Sequence, residues 1–263
     1  MRVYRSKAKN IAYFGYRLIN QVFDPIVFLK GLWGYVWYFV DLIKFKMLSP
    51  KTKIKLFDLY PQLHDKTSMT RFDAHYFYQQ LWLFENVLKN KPKEHVDVGS
   101  TYQMSGYLSK IVPTTFIDIR PINAKLENLK VLDASILNLP YEDNSLESVS
   151  CLHVIEHIGL GRYGDKVDPN GWKRACKELQ RVLAKGGRLY ISVPIGKPRV
   201  CFNAHRVFSP GDIVNIFDRL ELREFGVVDD EGKYSGSVLY GDYKKANYSL
   251  GMFCFVENSM LRR

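Results

Sequence analysis

Residues 153–157 read His-Val-Ile-Glu-His, two imidazoles and a carboxylate within five positions. Two chemistries use such a set. On a helix, the letters H-x-x-E-H hold zinc in one class of peptidase, because side chains four apart share a helix face. At a strand end, a histidine can serve as a general base with a carboxylate to orient it, since imidazole titrates near neutral pH. The flanking sequence separates the two. An apolar, strand-like run leads into His153, and "IGLGRYG" follows His157, with three glycines that oppose a continuing helix. A third ligand would be needed for zinc, and no second cluster offers one. The expectation is a strand-to-loop turn without a metal. A zinc hydrolase using His153 and His157 is the alternative that the letters alone leave open.

The candidate catalytic residues are therefore His153, His157 and His205, with Glu156 as orienter or alternate base. A structural role competes with this reading: Glu156 and His157 would then tie the loop to neighbouring backbone. The stretch "GRYGDKVDPNG" reads as a long loop covering an acceptor. In it, Arg162, Tyr163 and Asp165 are candidates to grip hydroxyls or an anionic group. Arg206, in "FNAHRVF", is a candidate for a phosphate or carboxylate of the acceptor, or else for an ion pair with Asp165 or Glu156.

The elements that must position these groups follow from pattern. "RFDAHYFYQQLWLFENVLKN" spaces Phe77, Leu81, Phe84 and Leu88 along one helix face. Short apolar runs then alternate with helical patterns. "EHVDVGS", "TTFIDIRP", "LKVLDAS", "SLESVSCLHV" and "RLYISVPI" read as strands, and "ELREFGVVDD" and "GMFCFVE" as two later ones. "YQMSGYLSKI" and "SPGDIVNIFDRL" read as helices, the latter with Pro210 in its first turn. "NGWKRACKELQRVLAKGG" is a third, its face made by Trp172, Ala175, Leu179, Val182 and Leu183, with Gly186 at its C-cap side. Such alternation predicts an α/β fold: a central, mostly parallel, seven-stranded sheet with helices on both faces.

Ligands of such sheets bind outside the carboxyl ends of the strands. Three successive strands end in Asp97, Asp118 and Asp133. Gly99 would let the backbone approach a ligand closely. Asp118 lies about 20 residues beyond Asp97, the spacing at which an acid accepts ribose hydroxyls. Asp133 would accept from an adenine amino group, and Asp97 would anchor a cationic amino acid tail. No glycine-rich pyrophosphate fingerprint is present. Ribose, adenine and a charged amino acid without phosphate describe S-adenosylmethionine.

Here the chain resembles the class I S-adenosylmethionine-dependent methyltransferases, from about residue 70 to its end. "HVDVGS", "FIDIRP", "VLDASILNLPYEDNSLESVSCLHVIEH" and "ELQRVLAKGGRLYISVP" carry the resemblance. It implies a Rossmann-like fold and a cofactor site at Asp97, Gly99, Ser100, Asp118, Asp133, Ala134 and His153. The blocks "HYFYQ-x-LW", "GRYGD-x-x-DP-x-G" and "FNAHRVF" are similar to a branch associated with bacterial surface-polysaccharide pathways. That implies a saccharide or lipid-linked glycan precursor as acceptor. The chain departs from the family in its first loop, usually D/E-x-G-x-G-x-G. Here it reads D-V-G-S-T-Y, with Thr101 in place of the second glycine. A methyltransferase-fold protein that binds partners without catalysis is the reading this departure favours.

The charge is uneven. Of a net +11, residues 1–55 hold eleven Lys or Arg against Asp24 and Asp41, a surplus of +9. The remainder is close to neutral, which argues against a nucleic-acid-binding body. The same 55 residues are rich in Trp, Tyr and Phe, but the uncharged run Gly31–Val40 is shorter than the ~20 apolar residues that span a bilayer. A basic, aromatic, helical extension at an anionic membrane surface fits this composition. A packing or dimer-forming arm fits it as well. The expected division is thus an arm over 1–55 and a methyltransferase-like domain over 56–263. Four scattered cysteines without a C-x-x-C pair suit free thiols in the cytoplasm.

Overall fold

The structure, a computed structural model, describes residues 7–257. Within them the chain divides between Phe72 and Asp73 into two compact units. The part of the expected arm before residue 7, and the end of the expected domain after residue 257, lie outside the described residues.

The first unit holds helices α1 (Lys7–Ile19) and α2 (Pro25–Leu48). Asp24 starts α2: its carboxylate accepts from the Ile26 and Val27 amides at 2.9 and 3.0 Å, and Pro25 occupies the first turn, where a missing N–H costs nothing. Tyr16 donates to the same carboxylate at 2.5 Å and so ties α1 to the start of α2. After α2 the chain runs irregularly, with a single 3-10 turn at Leu56–Asp58. The division falls at residue 72 rather than 55 because this irregular stretch folds back on α2. Leu63 lies against Gly34, where an added Cβ would come within 2.8 Å of the leucine Cβ. Lys66 pairs with Asp41 at 2.7 Å and sits 4.6 Å from the Trp37 ring centroid.

The second unit begins with α3 (Ala74–Asn90), capped by Asp73. The order then runs β1 (His95–Val98), α4 (Tyr102–Leu108), β2 (Thr114–Asp118), β3 (Leu129–Asp133), β4 (Leu146–Leu152), α5 (Gly171–Val182) and β5 (Leu183–Ile195). A hairpin follows, β6 (Arg199–Cys201) and β7 (His205–Val207), then α6 (Pro210–Ile216). The chain closes with β8 (Leu220–Val228), β9 (Tyr234–Ser235) and β10 (Ser249–Glu257).

The sheet order is β3-β2-β1-β4-β5-β10-β8-β9. Strands β1 to β5 are parallel; β10 runs antiparallel between β5 and β8. The sheet has eight strands rather than seven, because Tyr234 and Ser235 add a two-residue edge to β8. The hairpin was not legible either, its strands being three residues each.

Alternation along β5 and β10 separates two cores, as period-two side chains require. Leu189, Ile191, Val193, Phe253 and Phe255 face α5 and α6. Tyr190, Leu250, Met252 and Cys254 face α3 and α4. Helix α5 buries the expected face through Ala175, Leu179 and Val182. Gly186 is not its cap: the helix passes directly into β5, and Gly186, at φ +75°, lies where the β4–β5 register shifts. Helix α3 buries Gln79, Trp82, Leu83 and Val87, while Phe77, Leu81 and Leu88 stay exposed. Polar anchors fix that rotation: Ser192 donates to Gln79 at 2.5 Å and Trp82 donates to Glu224 at 2.7 Å. The four cysteines are free thiols.

Candidate functional site

A cavity of ≈ 800 Å³ opens at the carboxyl ends of β1, β2 and β4. That volume lies within the usual range for small-molecule sites. Its walls come from Gly99 to Tyr102, Asp118 to Arg120, Ala134 and Ser135, His153 and His157, and the loop at Tyr163 to Lys166.

The three strand-end aspartates do not converge. Only Asp118 lines the cavity. It accepts the Arg120 amide at 2.7 Å, which leaves a further oxygen able to accept. Asp97 is wholly buried and accepts three serine hydroxyls, Ser100 at 2.5 Å, Ser105 at 2.6 Å and Ser150 at 2.5 Å. Burial pushes its carboxyl up, against the pull of those hydroxyls. Behind it, His95 bonds Ser150 at 2.9 Å and Ser148 at 2.7 Å. Asp97 therefore supports the first loop from below and is enclosed away from the cavity wall. Asp133 pairs in register with Asp118 but is exposed and outside the cavity wall. The sequence showed where each strand ends; whether an end residue points inward depends on strand pleat and loop path.

Gly99 has φ +68°, and a Cβ there would lie 3.2 Å from a Val154 methyl. The backbone angle favours glycine, and an added side chain would crowd Val154. Ser100 is held between its bond to Asp97 and the Leu152 amide, which donates to it at 3.0 Å. Thr101 accepts from Gln80 at 3.0 Å and begins α4. The departure from the usual glycine loop is thus built into a fixed turn.

His153 to His157 form a turn, not a helix. His153 itself adopts φ +57°, left-handed backbone for a non-glycine residue, held by its amide bond to Ser192 O at 2.9 Å. Its Nδ1 lies 2.6 Å from Glu156 Oε1. Burial pushes the Glu156 carboxyl up, but His153 and His157 outweigh it and hold the group below the usual carboxylate range. An ionised carboxylate only accepts, so Nδ1 carries a proton and donates to it. The ring's Nε2 is buried without a partner, as is Glu156 Oε2. His75 and Tyr76 of α3 pack against the ring, with centroids at 5.9 and 5.1 Å and near-parallel planes. The pattern had shown α3 only as a helix; that "HY" meets His153 depends on the Gln79–Ser192 anchor one turn later.

The remaining candidates divide. His157 lines the cavity, but its Nδ1 donates to Ala204 O at 2.6 Å, so it also ties the loop to the β6–β7 turn. Burial lowers its pKa. His205 is outside the cavity wall and packs on Tyr248 at 5.1 Å; burial pushes it down to about 4. Arg206 is buried and reaches neither Asp165 nor Glu156 side chains. It donates to the carbonyls of Ile158 at 2.7 Å and Glu156 at 3.3 Å, so it braces the turn instead of facing an acceptor. Arg162 donates to Ala204 O at 2.9 Å. Tyr163 lines the cavity with Arg120 over its ring at 4.3 Å and Arg162 at 5.0 Å. Asp165 also lines it, but accepts the Gly159 amide at 2.7 Å and fastens its own loop. At Gly159 a Cβ would meet Asp168 O at 1.9 Å, so the loop closes on itself tightly.

Sheet order, a reversed β10 and a cavity over the β1 and β2 ends define the fold of the class I methyltransferases. Solved structures share it. They include the [4+2]-cyclase SpnF, with TM-score 0.53 and 11% identity over 74% of this chain and 85% of that one. A candidate sarcosine dimethylglycine methyltransferase from Galdieria sulphuraria has TM-score 0.51 and 14% identity, over 69% and 85%. A candidate methyltransferase from Bacillus halodurans has TM-score 0.50 and 12% identity, over 68% and 99%. A family model described as "Caenorhabditis protein of unknown function, DUF268" matches residues 117–224. The uncharacterized protein MJ0638 of Methanocaldococcus jannaschii is 25% identical over 181 residues, 65% of this chain and 70% of that protein.

Proposed function

We propose that the protein is an S-adenosylmethionine-dependent methyltransferase acting on a hydroxyl of a saccharide or lipid-linked glycan precursor, at the cytoplasmic face of a membrane. One observation carries the chemistry: His153, which lines the same cavity as Gly99 and Asp118, has its Nδ1 2.6 Å from the buried Glu156 carboxylate behind it. The residues present suit the cofactor. Gly99 leaves the first turn without a side chain, and Asp118 keeps an acceptor for ribose hydroxyls. Ala134 and Ser135 add wall at the third strand end. When bound, S-adenosylmethionine supplies a methyl group made electrophilic by its sulfonium.

The chain's own part is to orient and deprotonate. Glu156 fixes the His153 ring and tautomer, which leaves Nε2 free to take a hydroxyl proton. His75 and Tyr76 pack against the ring and help fix it. Tyr163, covered by the Arg120 and Arg162 guanidinium groups, fixes the wall of the cavity on the acceptor side. The acceptor class rests on the sequence blocks described above.

The [4+2]-cyclase SpnF shares the fold, so the fold alone does not assign methyl transfer. The test is calorimetric titration with S-adenosylhomocysteine. Binding is expected, and Asp118→Ala should weaken it roughly 10–100-fold, the worth of a charge-assisted hydrogen bond. Absence of binding at millimolar ligand would instead favour a partner-binding protein on this fold, the reading that Thr101 in the first loop supports.

A further inference from the structure

The first unit carries an apolar surface that the catalytic reading does not use. Helix α2 has 24 residues, with mean hydropathy 1.4 over its most apolar stretch, and only 11% of that stretch is buried. At 1.5 Å per residue it is long enough to cross a bilayer. Apolar side chains are exposed around much of it, Val27 and Phe45 on the Gly34 side among them, and one unbroken row runs its whole length. Leu29, Leu32, Val36, Val40, Ile43 and Met47 recur at steps of three and four, and all six are exposed. Gly34 and Asp41 lie on the opposite side, beneath Leu63 and Lys66 of the irregular return segment. Lys30 and Lys44 belong to that half of the helix by the same spacing. Helix α1 repeats the arrangement: Ile11, Phe14 and Leu18 form an exposed stripe.

We infer that α2 lies in the plane of an anionic bilayer, with its six-residue stripe in the acyl region and its Gly34 side toward headgroups, and that it does not span. Two arguments support this. A spanning α2 would carry the irregular segment around Leu63 into hydrocarbon, where backbone groups outside regular structure have no partners. In-plane insertion leaves that segment in the wet headgroup layer. Second, residues 1–55 carry a charge of +9, which is drawn to anionic lipid and would repel a second copy of the same arm. The inference is independent of the proposed enzyme activity.

Flotation of the full chain with vesicles tests it. The protein should float with vesicles containing phosphatidylglycerol and much less with pure phosphatidylcholine. The exposed double substitution Val36→Asp with Ile43→Asp should lower the partition coefficient by at least about 100-fold, since each side chain contributes the burial of an aliphatic group. Its unfolding temperature should not change. Externally added maleimide should label both Asn20→Cys and Lys51→Cys on sealed vesicles. No flotation, or flotation unaffected by the double substitution, would overturn the inference. Labelling of only one end would show a spanning helix. A dimer in sedimentation velocity that the double substitution dissolves would assign the stripe to a second copy.

Discussion

Replacing Glu156 by Gln tests the base assignment without needing the acceptor. The carboxylate accepts from His153 Nδ1 at 2.6 Å, and in a neutral ring that bond selects the tautomer with an unprotonated Nε2. Glutamine has the same shape, but its oxygen is neutral and its amide nitrogen donates. A hydrogen bond to a charged group contributes about 1.5–3 kcal/mol, against about 0.5–1.5 for a neutral one. The preference for the Nδ1-protonated form should fall by about 1.4 kcal/mol, roughly tenfold. The opposite tautomer, bonded through a flipped amide, then becomes populated. Long-range nitrogen–proton spectra of the imidazoles read this directly. In the unaltered protein His153 should show a protonated Nδ1 and a pyridine-like Nε2; in Glu156→Gln the two signals should move toward each other. Stability at neutral pH should fall, because the fold favours the ionised carboxylate and the substitution weakens its buried bond to His153. With an acceptor in hand, kcat should fall roughly 10²–10⁴-fold, the usual contribution of a positioned base. A pyridine-like Nδ1 in the unaltered protein, or spectra unmoved by the substitution, would refute the reasoning.

Other consequences follow from the same geometry. Gly99→Ala places a side chain at φ +68° and 3.2 Å from Val154, so unfolding free energy should drop by about 1–2 kcal/mol. Adding Val154→Ala should recover only part of the loss, because the contact is relieved while the backbone cost stays. Acid sensitivity has a defined sign. Burial pushes His95 from 6.5 down to about 3, and His75 and His205 down to about 4. Folding therefore keeps these rings neutral, and the unfolded chain takes up their protons first as pH falls below about 6.5. Their contribution is full above that pH and is lost toward the folded values. His95 alone gives a slope of about 1.4 kcal/mol per pH unit. Urea denaturation at pH 7, 6 and 5 should show falling midpoints; a flat series across that window would contradict the burial of these rings.

Strand and helix order was legible because it rests on local periodicity. The runs ending at Val98, Asp118, Asp133 and Leu152 are apolar and bounded by turn residues, and the α5 face repeats at helical spacing. Gly99 and the His153–Glu156 pair were legible too, one through loop chemistry and the other through sequence proximity. Where a side chain points was not legible. Asp97, Asp118 and Asp133 look alike in sequence. Yet the first is enclosed by three serines, the second faces the cavity and the third faces solvent. Arg206 could not be recognised as a brace, since its carbonyl partners lie about 50 residues away along the chain. Nor could the buried side of α3 be chosen, because that helix is apolar on more than one face and its rotation is set by Ser192 and Glu224, distant residues brought close only by folding. Periodicity is a property of neighbours in the chain, so sequence carries it; which polar groups satisfy one another is a property of neighbours in space, so only the folded sheet decides it.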